Sequence, residues 1–411
     1  MATIPSPPLE RCTFLSDETG VWMEIQKLVA SDRSQDSYFG NAVAIEDERL
    51  IIGSFRHEPS GEPLGSNYGA AYVFEKIAGQ WQEVDKLTAP DAAPGDIFGF
   101  SVGLSGDTIL IGTYTEGEDE NGTNTVNNSG SVYVYERTGN PAWTFAQKLK
   151  ASDREVGDEF GYALSIINNT ALISAHKDDH VVGTTTYGDA GSAYLFKKNT
   201  SGVWQESQKL TASDFDTSDD FAHSVSLGSG YLVIGARFED EDPNGGNTLT
   251  SAGSAYIFEE DGGGTWQEIQ KIVAGDRDEF DGFATLVAIS GTTICLGAPT
   301  EDEDASGNNP IPEAGAAYFF SGGTLGIPLP ETPTMTVWPN PTSREVWITF
   351  QQAPQEVTVT QMGVDGKHMA SEVFYTTASV PFSLRGADGL YLLRVTASNG
   401  ATQTVRIIKK Q

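Results

Sequence analysis

Bulky and small residues alternate along short runs that recur down most of the chain. Phe98-Gly99-Phe100-Ser101-Val102-Gly103-Leu104 sets large side chains on one face and Gly or Ser on the other, and Phe39-Gly40-Asn41-Ala42-Val43-Ala44-Ile45 repeats the pattern. A period of two predicts a strand, and the small face suits strands crowded about a central axis. A tight turn such as Ser105-Gly106-Asp107 leads to an apolar second strand, Thr108-Ile109-Leu110-Ile111-Gly112. A long polar loop, a tyrosine strand, a short turn and a tryptophan strand complete the unit.

That unit occurs five times. Its tryptophans are Trp22, Trp81, Trp143, Trp204 and Trp266, at spacings of 59, 62, 61 and 62. Each is followed by an aspartate (Asp32, Asp91, Asp153, Asp214, Asp276) and, seven residues on, a phenylalanine (Phe39, Phe98, Phe160, Phe221, Phe283). Each closes on a Gly-small-small-Tyr segment at Tyr72, Tyr133, Tyr194, Tyr256 or Tyr318. Four-stranded units at a fixed period predict the blades of a β-propeller. Counted from Phe39, four blades are complete, and the fifth, Phe283 to Phe320, lacks its outer strand. Trp22–Leu28 reads as that strand, so the expectation is a five-bladed ring closed by the N-terminal strand, with no open sheet edge. Cys12-Thr13-Phe14 argues against closure, because it reads as the tail of another tyrosine strand.

The chain has 411 residues, 45 of them glycine, and a net charge of −32. Short runs of Val, Ile, Thr, Tyr and Phe make it all-β. The charge argues against nucleic acid, which needs Lys and Arg patches. No apolar run approaches a membrane span. Residues 1–20 lack the basic start and apolar centre of a signal peptide, so a leader is expected to have been removed or to lie upstream. Cys12 and Cys295 leave two readings open: a buried free thiol at Cys295, or a bridge stapling the N-terminus to the last repeat.

After residue 321 a Gly/Pro-rich linker, 322–334, separates the propeller, 1–321, from a C-terminal module, 335–411. From Pro330 onward there are 7 Lys and Arg against 6 Asp and Glu, which leaves −33 on the propeller side.

The five Phe-Gly repeats resemble the FG-GAP repeats of bacterial surface proteins, distantly related to the propeller of integrin α chains. They depart from the pattern at Ala222 and Ala284, where Phe-Gly becomes Phe-Ala, and at Ser174, which replaces the glycine of a Gly-Ala-Pro signature complete only at Gly297-Ala298-Pro299. The tail resembles the type A C-terminal sorting domain of type IX secretion substrates in Bacteroidota. The matching residues are Val337-Trp338-Pro339-Asn340-Pro341, Asp365-Gly366-Lys367, Gly389-Leu390-Tyr391-Leu392-Leu393-Arg394-Val395 and Ile407-Ile408-Lys409-Lys410, with Gln361-Met362 standing where an aspartate is usual. That resemblance implies a small Ig-like β-sandwich read by the secretion machinery, and an extracellular or outer-surface location.

Of the propeller's 51 acids, 34 fall in the long loops and in the loops leading into each blade, which share one face. Like charges so crowded strain a fold unless cations intervene. Asp240-x-Asp242-x-Asn244-Gly245 and Asp302-x-Asp304-x-Ser306-Gly307 place oxygens on alternate residues before a glycine, an arrangement that suits calcium. The bland alternative is a solvated acidic rim. Asp96, Asp158, Asp219 and Asp281, two residues before each Phe, read as turn caps accepting backbone N–H groups. His176 and His180, four apart in a loop beside Lys177, read poorly as a zinc pair. Asn41, Phe100, Tyr162, His223 and Thr285 share one position near the channel mouth, and their variety marks Tyr162 and His223 as candidate ligand readers.

No catalytic motif stands out. The expectation is a secreted or surface-displayed, non-enzymatic adhesion propeller, stabilised by calcium, that takes a protein or glycan ligand at its acidic face. The rivals are a multivalent lectin with one sugar per blade, and a carbohydrate-active enzyme using an acid–base pair.

Overall fold

The computed structural model describes residues 12–16, 23–119, 125–137, 139, 142–303, 311–321, 335–338, 342, 345–350, 356–363, 367–375, 379–397 and 402–410. Every regular element among them is a strand. The chain divides into two compact units, 1–320 and 321–411.

In the first unit each blade is an antiparallel sheet in sequence order, from an inner strand through second and tyrosine strands to an outer one. Blade 1 comprises Phe39–Glu46, Arg49–Ser54, Ala70–Ile77 and Gln80–Leu87. Blade 2 comprises Ser101–Ser105, Thr108–Thr113, Ser131–Arg137 and Trp143–Leu149. Blade 3 comprises Leu164–Ile167, Thr170–Ala175, Ser192–Lys198 and Trp204–Leu210, with an extra hairpin, His180–Val182 and Thr185–Tyr187, in its long loop. Blade 4 comprises Phe221–Leu227, Tyr231–Ala236, Ser254–Glu260 and Trp266–Ile272. Blade 5 has three strands, Leu286–Ser290, Thr293–Ala298 and Ala316–Ser321.

The large–small alternation is blade-to-blade packing rather than crowding at an axis. Val102 and Leu104 of blade 2 join the core against Ala42 and Ala44 of blade 1. A Cβ on Gly103 would meet Leu164 and Ile166 of blade 3 at 2.7 and 2.9 Å. The glycine before each tyrosine strand marks a second close approach. Gly69 has φ +83°, and a Cβ there would lie 2.1 Å from the Phe98 carbonyl oxygen of the next blade. Gly69 and Phe98 form a parallel bridge, as do Gly130 and Phe160.

Closure by the N-terminal strand is not what the structure has. Met23–Leu28 pairs with Cys12–Ser16, with Cys12 opposite Leu28 and a bulge between Phe14 and Leu15. Blade 3 has the same bulge between Leu195 and Phe196 in its tyrosine–outer pair. The N-terminal hairpin is therefore paired as the tyrosine and outer strands of a blade are, and Cys12–Ser16 occupies the edge of Met23–Leu28 that blade 5 would need. Leu28 and Ala30 pack on Phe39, Tyr72 and Trp81 of blade 1. Gln26 clamps the Trp81 backbone, donating to its carbonyl at 2.8 Å and accepting from its N–H at 2.9 Å, as Gln147 does for Trp204. Two apolar faces are left uncovered. Val43 and Ile45 are 54 % and 57 % exposed, against 9 % and 8 % for their blade 2 counterparts, and Phe319 of blade 5 is 73 % exposed. Cys295 is a half-buried free thiol on blade 5, and the side chain of Cys12 lies outside the described residues.

In the second unit one sheet orders Met335–Trp338, Glu345–Phe350 and Ser379–Ser383. The other orders His368–Tyr375, Glu356–Gly363, Gly389–Ala397 and Thr402–Lys409. Val346, Ile348 and Phe382 of the first share one core with Val359, Leu393 and Ile407 of the second. Gln361 is buried within it, accepting from Arg385 N at 2.8 Å and donating to Arg385 O at 2.9 Å. An aspartate could make only the first of these bonds, which accounts for the glutamine here.

Candidate functional site

Many loop acids are not rim charges at all. In blade 2, Tyr133 donates to Asp91 at 2.7 Å, and Lys148 Nζ lies 2.8 Å from Asp91 and 2.9 Å from Glu116. Blades 3 and 4 repeat the cluster as Tyr194–Asp153–Lys209–Asp178 and Tyr256–Asp214–Lys271–Glu239. Glu116, Asp178, Glu239 and Glu301 are all buried. In blade 1 His57 takes the acid's place, 2.8 Å from Lys86 Nζ, and burial with the Lys86 charge pushes its pKa down. Blade 5 keeps Tyr318, Asp276 and Glu301, with no lysine beside them among the described residues. The sequence carries this signal as an acid four residues after Gly112, Ser174, Gly235 and Gly297, and a lysine at a fixed place on each outer strand.

In blades 2 to 5 the aspartate two residues before the phenylalanine caps its turn as expected. Asp158 accepts from Glu155 N at 2.5 Å and Asp281 from Asp278 N at 2.6 Å, with Asp96 and Asp219 bonded alike to Ala93 and Asp216. Burial, opposed by the N–H bond and reinforced by neighbouring acids, pushes Asp96 and Asp281 up to about 6, Asp158 to about 7 and Asp219 to about 8.

The expected calcium loops are folded on their own carboxylates. Asp242 accepts from Asn244 N at 2.8 Å and Asn247 Nδ2 at 2.7 Å, while Asp240 accepts from Ser251 N at 2.7 Å. Asp302 accepts from Glu313 N at 2.7 Å, and Asp304 and Ser306 lie outside the described residues. His180 does not meet His176; it bonds Ser192 at 2.9 Å and lies 3.4 Å from Asp178.

The structure does bring Tyr162 and His223 together, with ring centroids 5.1 Å apart. They belong to an arc formed by Tyr38 together with members of two sets of residues, those two after a repeat's Phe and those just after a second strand. Phe100 lies 5.1 Å from Tyr162, 4.6 Å from Tyr114 and 5.5 Å from Phe55, which meets Tyr38 at 5.2 Å. Arg56 stacks on Tyr38 at 4.7 Å. The arc does not run through the other two candidates: Asn41 donates to Phe100 O at 3.1 Å, and Thr285 to Gly282 O at 2.7 Å. At its other end His176, whose ring is 4.1 Å from Tyr162, joins Asp220 and His223. Burial works to lower the His176 pKa, but its bonds to Asp220 and Glu159 outweigh that and hold it above the ordinary value. Burial pushes His223 down. Asp220, despite its burial, is held far below the carboxylate range by His176 and His223. The sequence named Tyr162 and His223 as candidates and weighed His176 only against His180, because its contact with Asp220 and His223 crosses between blades.

A C-terminal sorting domain of secretion systems matches residues 336–410. It marks the chain for export to the cell surface or beyond and implies contact with the secretion machinery. Among the described residues no helix is long and apolar enough to cross a membrane. No curated protein matches the chain. The FG-GAP repeat matches five times, at residues 22–74, 81–135, 143–196, 204–258 and 266–320, each match taking in one outer strand and the first three strands of the blade that follows it; together they cover more than half the chain, so the chain belongs to the FG-GAP repeat family.

Proposed function

We propose that this protein is a secreted or surface-displayed, non-enzymatic binding propeller whose ligand, a protein segment or a glycan, docks on the arc from Tyr38 to His223. The observation that carries this reading is the arc itself: aromatic rings in unbroken contact, tilted or edge to face, edged by Arg56, Lys177 and Arg237 on a face otherwise crowded with acids. Aromatic faces bind apolar and sugar surfaces at little entropic cost and dominate recognition sites. The paired positions differ from blade to blade: Phe100 and Tyr114 in blade 2, Tyr162 and His176 in blade 3, His223 and Arg237 in blade 4. Such a surface reads one composite ligand, which favours a single site over the five equivalent sites of a multivalent lectin. Calcium, if bound, would order the Asp240–Asn244 loop and take ligands among Asp302, Asp304 and Ser306.

The test has two parts. Glycan and extracellular-protein arrays are probed with the full chain and with Tyr162→Ala. The reading expects saturable binding at one site per chain that the variant loses; five equal sites would favour the lectin. Thermal melts in EDTA and then millimolar calcium read the loops, because an ion that binds only the folded state raises the midpoint. A rise with calcium and none with magnesium supports the ion, and identical midpoints reject it.

A further inference from the structure

His176 follows the second strand of blade 3, whereas Asp220 and His223 bracket the start of blade 4's inner strand. The blade interface brings one donor atom from each to within 4.8 Å of the others, and all three side chains are buried. Among the described residues no other group of three His, Cys, Asp or Glu donors converges in this way. We propose that His176, Asp220 and His223 form a site for a transition-metal ion of the zinc class.

Three observations favour an ion over a closed hydrogen-bond network. First, His223 Nδ1 lies 3.1 Å from Asp220 Oδ2 but out of hydrogen-bonding alignment, and this atom has no hydrogen-bond partner although the residue is only 7 % exposed. A buried ring nitrogen left in this state is costly unless something else takes it up. Second, His176 presents Nδ1 to the cluster while Nε2 meets Glu159 at 2.9 Å. Metal-bound histidines hold their second nitrogen against a carboxylate in this manner, which fixes the tautomer and aims the other lone pair. Third, the nearby cations are already engaged: Lys177 lies 2.8 Å from Glu159, and Arg237 Nε bonds Asp220 Oδ2, so the oxygen an ion would take is Oδ1, which here meets His176 Nδ1. Two imidazoles and one carboxylate suit zinc and its neighbours, whereas calcium wants six to eight oxygens. Three protein donors also leave a coordination position open beside Tyr162, so the ion would sit within the proposed binding arc. The proposal does not require calcium at the rim.

Calorimetric titration of the full chain, stripped with chelator, with zinc and separately with calcium tests it. The expected result is one zinc equivalent per chain, weakened at least tenfold in His223→Gln and in His176→Gln and unchanged in His180→Gln, with no calcium uptake that tracks these histidines. Cobalt replacing zinc should give the visible bands of a low-coordinate site in the parent and lose them in His223→Gln. Melts in chelator check that the variants fold; if His176→Gln does not, His223→Gln decides alone. Absence of a stoichiometric zinc site, or equal zinc binding by His223→Gln, overturns the proposal and leaves a His176 imidazolium bonded between Asp220 and Glu159.

Discussion

Lys148 and Glu116 meet at 2.9 Å with both side chains almost wholly withdrawn from water. The lysine also binds Asp91, so one cation neutralises two carboxylates inside blade 2. Removing one partner of a buried pair leaves an uncompensated charge and costs about 3–5 kcal/mol. Lys148→Met should therefore destabilise the propeller by about that amount in urea unfolding. Lys27, at the equivalent place on the N-terminal hairpin, faces Thr13 rather than a tyrosine and has no ion pair among the described residues. Lys27→Met should cost less than about 1 kcal/mol, as exposed substitutions usually do. A loss at Lys27 as large as at Lys148 would mean that Met23–Leu28 completes blade 5 in solution, beside Asp276 and Glu301.

The blades were legible because a period of two and a period of about sixty are both written in residue size. The turn caps at Asp96, Asp158, Asp219 and Asp281 were legible because their partners lie three residues away. The edge pairing of Met23–Leu28 was ambiguous: its sequence fits any outer strand, and only the weak similarity of Cys12-Thr13-Phe14 to a tyrosine strand pointed to its actual partner. Glu116 and Glu239 were misread as rim charges because their lysines lie over thirty residues away on the outer strand. The His176–His223 contact was hidden for a similar reason, since it forms only when blade 3 packs on blade 4.

The glycine after the phenylalanine in blades 1 to 3 meets a backbone requirement. Gly99 has φ +90°, and a Cβ there would stand 2.4 Å from the Ala70 carbonyl oxygen. Where alanine replaces it, φ falls to +69° at Ala222 and +64° at Ala284, nearer the left-handed well that an L-residue tolerates. Gly99→Ala should cost about 2 kcal/mol or more by denaturant unfolding. A change within measurement error would show that blade 2 can make the same φ adjustment as blades 4 and 5.

Asp85 is the weak member of the clamps between outer strands. Gln147 makes two bonds with the backbone of Trp204, and Gln208 does the same with Trp266. Asp85 only accepts, from Trp143 N at 3.3 Å, and has no proton for the carbonyl. Asp85→Gln should restore the second bond and stabilise the blade 1–2 contact by about 0.5–1.5 kcal/mol. A lower urea midpoint would show instead that the bond from Lys86 N to Asp85 matters more.

Asp96 sets the sign of a pH dependence. Burial, aided by the charges of Glu116 and Asp91 and opposed by the Ala93 N–H, pushes its folded pKa up to about 6, above the carboxylate value of an unfolded chain. The native state then holds a proton that the unfolded state has released. Its stabilising contribution is complete below about pH 4 and is lost as pH rises through about 6; Asp281 acts in the same window. Asp32, Asp91 and Asp178 work in the opposite sense, because Lys86, Lys148 and, for Asp178, His180 and then Lys209 hold them low against the effect of burial, and their contribution fades as pH falls below the carboxylate range. The melting midpoint in chelator should therefore peak in mildly acidic buffer and fall by a few degrees by neutrality. Asp96→Asn keeps an acceptor for Ala93 N without the charge, so it should raise the neutral midpoint and flatten the slope between about pH 5 and 7. An unchanged slope would show that Asp96 is already ionised in the native state and that its neighbours, or a bound cation, tolerate the charge.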